Sequence, residues 1–200
     1  MYKENKDITL QYYNQNAGSF VSSTIHADLT DTQNRFLSRL EPGAAILDFG
    51  CGSGRDTKYF LEHGYQVDAI DGSEELCKIA STYTGIPVRQ MYFQDLDVRE
   101  RYDGIWACSS ILHLEKTELR SVLKKMADAL RPGGWIYTSF KYGEFEGMRN
   151  GRYFTDFTWS SFQRFIRGTE SLSIEESLVT GDVRPGREEE KWLNLLLQKR

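Results

Sequence analysis

The stretch Ile46-Leu47-Asp48-Phe49-Gly50-Cys51-Gly52-Ser53-Gly54-Arg55-Asp56 constrains this chain more than any other. A short apolar run from Ala44 to Leu47 ends in an acid, then in glycines at 50, 52 and 54, then in a segment of helical character. That order is the sequence form of a strand, a tight turn and a helix start. Glycine lets such a turn take positive φ and lets a ligand come close to the main chain. A dinucleotide-binding turn of the G-x-G-x-x-G kind would carry its third glycine at position 55. Arginine stands there instead, and the third glycine falls at 54. The turn alone names no cofactor, so the positions downstream of it carry the argument.

A helix predicted over 57–62 closes at His63-Gly64, a natural C-cap. Tyr65 to Ile70 then reads as a second strand that ends at Asp71-Gly72-Ser73. At the end of a strand in a parallel α/β sheet, Asp71 is placed to accept hydrogen bonds from the two hydroxyls of a ribose. Capping the next helix is the competing role, and Ser73 can fill it. Glu74 to Tyr83 is that helix, with Leu76, Ile79 and Ala80 inward. Ile86 to Phe93 is expected as a third strand, followed by Gln94-Asp95-Leu96-Asp97. Asp95 can accept from an exocyclic adenine amine while Leu96 packs on the ring face; Asp97 is the alternative acid or else solvated.

Gly104 to Cys108 is a fourth strand, and His113 follows at its carboxyl end, where open parallel sheets bind ligands. Of the three histidines, His113 has the functional address; opening a helix is its structural alternative. Thr117 to Leu130 shows the clearest helical spacing, with Leu119, Val122, Leu123, Met126, Ala127 and Leu130 on one face. Arg131-Pro132-Gly133-Gly134 stops it, and Trp135 to Phe140 forms a fifth strand. Strands alternating with covering helices through 44–140 are the doubly wound pattern.

The flanks read differently. Residues 7–40 are expected as helices broken at the turn-rich 14–19 and stopped by Glu41-Pro42-Gly43. They are either a packing pair or a cover over the glycine turn, with Tyr12 or Tyr13 facing it. Lys141 to Asp156 reads as a loop over the site, and Thr158 as the cap of a short helix bearing Trp159, Phe162, Phe165 and Ile166. Strands near 173–179 and 192–198 suggest an antiparallel pair at one sheet edge. No repeat or interdomain linker interrupts the chain, so one domain is expected: a cover over 1–43, a core over 44–140, and a substrate-side segment over 141–200.

Composition narrows the class. A net charge of −4 and a pI near 5.5 supply no footprint for general nucleic-acid binding, though a local patch can still touch RNA. Cys51, Cys77 and Cys108 are odd in number and lack metal-ligand spacing, which argues for reduced core residues rather than a disulfide framework or a metal site. No apolar run approaches the length of a membrane span, and Met1 to Leu10 lacks a signal-peptide core. A cytoplasmic protein is the expectation.

Taken in order, these motifs resemble the class I S-adenosylmethionine-dependent methyltransferases. Leu47-Asp48-Phe49-Gly50-Cys51-Gly52-Ser53-Gly54 is similar to the first motif of that family, and Asp71 to its ribose acid. Asp95-Leu96 is similar to its adenine contacts, and Leu130 to Gly134 to the turn before its fifth strand. The resemblance implies a Rossmann-like, doubly wound seven-stranded sheet, mostly parallel with an antiparallel edge strand. It implies S-adenosylmethionine as cofactor, with S-adenosylhomocysteine as product. Gly50 and Gly52 would lie against the methionine part, flanked by Asp48 and Cys51. Asp71 and Gly72 would meet the ribose, and Cys108 would also face the cofactor. Tyr13 is similar to an aromatic in the N-terminal cover of small methyltransferases. Arg55 would meet the cofactor carboxylate or else pair with Asp56.

Methyl transfer asks for a base only when the acceptor arrives protonated, and His113 is the candidate for that role. The acceptor is expected to be a small molecule. Gly151-Arg152-Tyr153-Phe154 is also similar to a stretch in methyltransferases of wobble uridine in transfer RNA. Arg184, Arg187 and Lys191 either serve an anionic acceptor or pair with Glu188, Glu189 and Glu190. Two other classes remain open: a nicotinamide-dependent oxidoreductase, disfavoured by Arg55, and a cofactor-binding regulator without catalysis.

Overall fold

The computed structural model describes residues 2–200; Met1, part of the expected cover, lies outside them. Among the described residues nine strands and six α-helices follow one another, in keeping with the alternation of apolar runs and turn residues. Helices α1 (Tyr2–Thr24) and α2 (Thr30–Leu37) lead into β1 (Ala45–Phe49), α3 (Arg55–Glu62), β2 (Gln66–Asp71) and α4 (Glu74–Thr84). Then come β3 (Val88–Gln90), β4 (Tyr102–Ala107), α5 (Lys116–Ala129) and β5 (Leu130–Lys141). A hairpin of β6 (Glu146–Arg149) and β7 (Arg152–Thr155), helix α6 (Trp159–Ile166), β8 (Leu172–Gly181) and β9 (Lys191–Lys199) complete the chain.

Seven strands form one sheet in the order β3-β2-β1-β4-β5-β9-β8. The pairs from β3 to β5 are parallel, while β9 runs antiparallel to both β5 and β8. This is the doubly wound sheet with an antiparallel pair at its edge. The reversed strand is the inner one, β9, and β8 is the edge strand. The order reverses between β1 and β4, and that switch point opens a crevice at the carboxyl ends of the strands.

The period-2 alternation of strand side chains divides the core between the two faces. Leu47, Phe49, Ile105, Ala107, Ile136 and Phe140 face α5 and α6, where Leu119, Leu123, Met126, Phe162 and Phe165 cover them. Ile46, Trp106, Tyr137 and Leu196 face the other way, toward Phe36 of α2 and Phe60 of α3. Trp106 and Tyr137 stack there with centroids 4.0 Å apart.

Four local expectations are revised. The break over 14–19 is a kink within α1: only Asn16 leaves helical geometry (φ −115°, ψ 15°), and its side-chain amide donates to Tyr12 O at 2.8 Å. The third strand stops at Gln90, and Phe93–Asp95 turns as 3₁₀ helix instead. The fifth strand begins earlier, at Leu130, with a register irregularity against β4. The loop over 141–156 contains the β6–β7 hairpin, closed by Asn150 (φ 51°) and Gly151 (φ 75°). Asparagine followed by glycine at positive φ is the favoured two-residue hairpin turn. Thr158 caps α6 as expected, in a reciprocal box with Ser161.

Candidate functional site

A cavity of about 220 Å³ runs along one edge of the sheet, from the carboxyl ends of β3 and β2 across the switch point to the ends of β5 and β8 and the amino end of the reversed β9. Its floor is the glycine turn. Gly50 N and Cys51 N both donate to Ile70 O, at 3.0 and 2.9 Å, so the turn is laced to the end of β2. Gly50 takes φ +90°, and a Cβ placed on it would lie 2.5 Å from Ser110 Cβ. Only glycine fits there. Gly52 donates its N–H to Asp71 Oδ2 at 2.9 Å, and Ser73 N donates to Asp71 Oδ1 at 2.9 Å. Asp71 is thus oriented by main-chain donors on both oxygens and still has lone pairs for a ligand. Burial pushes its carboxyl above the usual range, opposed by the N–H groups of Ser73, Gly52 and Gly72. Ser73 itself caps α4, accepting from Leu76 N, so the capping role does not fall to Asp71.

Helix α1 roofs the floor. Its Leu10 lies over Gly72 and its Phe20 over Gly52, and Tyr13 lines the cavity between them. The second cover is the β6–β7 hairpin. Tyr153 N donates to Thr9 Oγ1 at 3.0 Å, and Gly151 packs against the Tyr12 ring.

His113 meets both covers. Its Nδ1 lies 2.6 Å from Tyr153 O, which as a carbonyl can only accept, so Nδ1 carries the proton. Burial pushes the imidazole down to about 4, so the ring is neutral and Nε2 holds a lone pair. Tyr13 Oη, 2.8 Å away, donates to it. The phenol is the group that faces onward, and burial raises its own pKa.

The sign of this shift sets an expectation for stability. A histidine held neutral in the fold but free to charge when unfolded makes stability fall as pH drops from about 6.5 toward 4. Its full effect is up to about 3 kcal/mol. Asp48, which burial with Asp56 beside it raises to about 8, acts in the opposite sense from about 4 upward. The difference between wild type and His113→Gln isolates the histidine. Urea denaturation from pH 7 to pH 4 is expected to show a shallower loss in the variant, and parallel curves would contradict the assignment.

Of the residues read as cofactor contacts, Tyr13, Gly50, Cys51, Gly52, Asp71, Gly72 and Cys108 all line the cavity, as does His113. Three do not. Asp48 is turned away and buried, accepting from Thr57 Oγ1 at 2.5 Å at the start of α3. Asp95 sits in the 3₁₀ turn, off the cavity wall. Leu96 is buried in the core under α5. The cause is the early end of β3, which brings Met91, Tyr92, Phe93 and Gln94 to the wall instead. The sequence signal for them was the position just past a strand's carboxyl end, read three residues too late. Desolvation pushes up the thiols of buried Cys51 and half-buried Cys108, Cys108 to about 12, and neither is a nucleophile.

Arg55 is committed elsewhere. Its Nε and Nη2 form a fork with Asp56 at 2.9 and 2.8 Å, and Nη1 donates to Thr24 O at 3.2 Å. At the far end of the cavity Arg184 forms a second fork with Asp182, and Trp192 Nε1 also donates to that acid at 3.1 Å. Burial pushes Asp182 up, but the Arg184 contacts outweigh it and carry the carboxyl down to about 2. Arg187 and Lys141 pair with Glu190, and Lys191 does not reach the wall. Among the described residues no cluster of His, Cys, Asp and Glu could hold a metal ion, and no helix is long and apolar enough to cross a membrane.

Comparison with known proteins adds names to this geometry. A family model described as a methyltransferase domain matches residues 46–134. A ubiquinone biosynthesis O-methyltransferase of Xanthomonas axonopodis pv. citri is 33% identical over 110 residues, 51% of this chain and 45% of that protein. One from Idiomarina loihiensis is 25% identical over 154 residues, 70% of this chain and 63% of the relative. The matched stretch therefore spans less than two thirds of these relatives. A Burkholderia thailandensis 1,6-didemethyltoxoflavin-N1-methyltransferase, solved with its namesake compound and S-adenosylhomocysteine, superposes with a TM-score of 0.80 at 23% identity. That match covers 100% of this chain and 90% of the other, and it shows the shared fold.

Proposed function

We propose, on the premise that residues 46–134 form a class I methyltransferase domain, that this chain moves a methyl group from S-adenosylmethionine to a small-molecule acceptor by in-line displacement. One observation carries the reading: a main-chain-oriented acid, Asp71, and a glycine turn share a roofed cavity with a second, separately walled end. The first end suits a nucleoside, with Asp71 on the ribose and Tyr92 and Phe93 beside the base. The Burkholderia thailandensis enzyme of the same fold binds 1,6-didemethyltoxoflavin together with S-adenosylhomocysteine, which is in keeping with this reading. The residues fit the cofactor. Gly50 cannot be anything larger, and among the described residues no cation forms an ion pair with Asp71; Lys6, on the cavity wall, lies over the Tyr92 ring at 4.1 Å.

When bound, the sulfonium supplies an electrophilic methyl group. What remains for the protein is to exclude water and hold the nucleophile close and in line, at about 3–3.5 Å. Helix α1 and the hairpin do the first. His113 fixes the direction of the Tyr13 hydroxyl, so it is a positioning residue, and it takes a proton from an acceptor only through that phenol. Segments 1–43, 44–140 and 141–200 act together as one methyltransferase domain in this reading. The protein works in the cytoplasm, in keeping with three unpaired cysteines.

Calorimetric titration with S-adenosylmethionine, S-adenosylhomocysteine, NADH and NADPH tests the proposal. Saturable binding of the two sulfur nucleosides alone is expected. Binding of the nicotinamides alone would overturn it, and methylated product in an acceptor screen would separate an enzyme from a silent binder.

A further inference from the structure

The cavity also holds an arginine whose charge no carboxylate among the described residues balances. Arg152, the first residue of β7, lines the cavity, and its Nε is fully buried without a hydrogen-bond partner. Its strongest polar contact is a long one, Nη1 to Tyr13 Oη at 3.4 Å. Among the described residues no carboxylate lies within ion-pair distance of it. Aromatic rings hold the guanidinium in place: Tyr12 at 4.5 Å, Phe154 at 5.2 Å and Tyr13 at 5.7 Å from its central carbon. The other arginines of the cavity are spoken for, Arg55 by Asp56, Arg184 by Asp182 and Arg187 by Glu190.

A buried, unpaired donor on a charged group is costly, and a protein keeps one when a ligand completes it. The guanidinium faces are given to rings, so its N–H edge is what remains. A carboxylate or phosphate in the cavity meets the guanidinium with charge-assisted bonds through its terminal Nη groups. Position decides which ligand brings the oxyanion. Asp71 lies at the end of β2, whereas Arg152 packs against Phe154 and, through the Tyr13 hydroxyl, meets His113, which follows β4. Phe154, Tyr13 and the His113 ring line the cavity around the guanidinium, and aromatic walls favour a flat occupant.

We propose that Arg152 is the anchor for an anionic group on the methyl acceptor, and that the acceptor is a planar aromatic oxyanion, carboxylate or phosphate. The proposal rests on the methyltransferase reading above. It divides the cavity by charge: the sulfonium of the cofactor enters at the acidic end, and the anion of the acceptor lodges at Arg152. The two ligand charges then attract across the transfer position.

The test is calorimetry on protein saturated with S-adenosylhomocysteine. The probes are benzoate and phenyl phosphate, with benzamide and benzyl alcohol as neutral partners of similar shape. The anions are expected to bind saturably and the neutral compounds at least about tenfold more weakly. Arg152→Gln should erase that preference, Arg152→Lys should keep part of it, and S-adenosylhomocysteine affinity should change by less than about twofold in both. Equal binding of charged and neutral probes to the wild-type protein, or no saturable binding of either anion at millimolar concentration, would overturn the proposal without any variant. A tenfold loss of S-adenosylhomocysteine affinity in Arg152→Gln would also overturn it, because Arg152 would then hold the cofactor's own carboxylate. Failure of the wild-type protein to bind S-adenosylhomocysteine at all would count against the methyltransferase reading instead.

Discussion

Asp56→Ala is expected to cost about 3–5 kcal/mol of stability, the size found when one partner of a buried ion pair is deleted. Asp56 is 6% exposed and accepts four hydrogen bonds. Arg55 supplies two of them, Gln33 Nε2 a third at 2.7 Å to Oδ1, and Trp106 Nε1 a fourth at 2.9 Å to Oδ2. One carboxylate therefore joins α2, α3 and β4, and through Arg55 it reaches the last carbonyl of α1 at Thr24. Burial opposes its charge, but the Arg55 guanidinium beside it wins and holds the carboxyl below its usual range. Its removal leaves that guanidinium desolvated and two further donors unpaired. Urea denaturation measures the loss. The ordering of variants is the sharper check: Arg55→Met combined with Asp56→Ala should be less damaging than the two single changes summed, because the stranded charge goes too. Strict additivity would show that the pair is not a unit.

The Arg55–Asp56 pair was one of two readings open for Arg55 in the sequence, but the network around it was not. Arg55 drew notice because it broke a glycine pattern, and Asp56 only as its neighbour. Their partners Gln33 and Trp106 lie 23 and 50 positions away, a pairing that local periodicity cannot express. The core of the fold was legible for the opposite reason. Leu119, Val122, Leu123 and Met126 repeat at helical spacing, and the strand runs end at turn residues, so each element declares itself within about a dozen positions. Where that local signal thinned, the reading slipped. Ile86 to Phe93 is apolar enough to pass as one strand, but only Val88–Gln90 pair with β2. The hairpin carried an Asn150-Gly151 signal between flanks too charged and too glycine-rich to alternate cleanly. The strand order at the edge, with β9 inside β8, is a matter of long-range pairing and has no local signature.

The same distinction sorts the site. Gly50, Gly52 and Asp71 could be placed because a parallel sheet sends its ligands to strand ends, and those ends were readable. Asp95 and Leu96 were misplaced with the strand that precedes them. Arg152 lay in a stretch noted for its charge, but its isolation from every carboxylate emerges only when α1 and the hairpin close over it.

Asp71→Ala is expected to have the largest effect on ligand binding. The substitution removes the acceptor for ribose hydroxyls and also frees Gly52 N and Ser73 N, which now orient the turn. Loss of hydrogen bonds to a charged, buried acceptor weakens S-adenosylhomocysteine binding by about 1–3 kcal/mol, roughly 5- to 150-fold. Two causes are entangled in that number, and a second ligand separates them. An analogue of S-adenosylhomocysteine lacking both ribose hydroxyls should bind the wild-type protein weakly, since it forfeits the same bonds. If Asp71 acts on the ribose, Asp71→Ala should then cost the analogue far less than it costs the parent compound. If instead the acid serves only to shape the glycine turn, both ligands will suffer alike. Asp71→Asn sharpens the comparison, because its amide oxygen can still accept one main-chain N–H while its charge and second acceptor are gone. Unchanged affinity of the parent compound for Asp71→Ala would remove Asp71 from the cofactor site altogether.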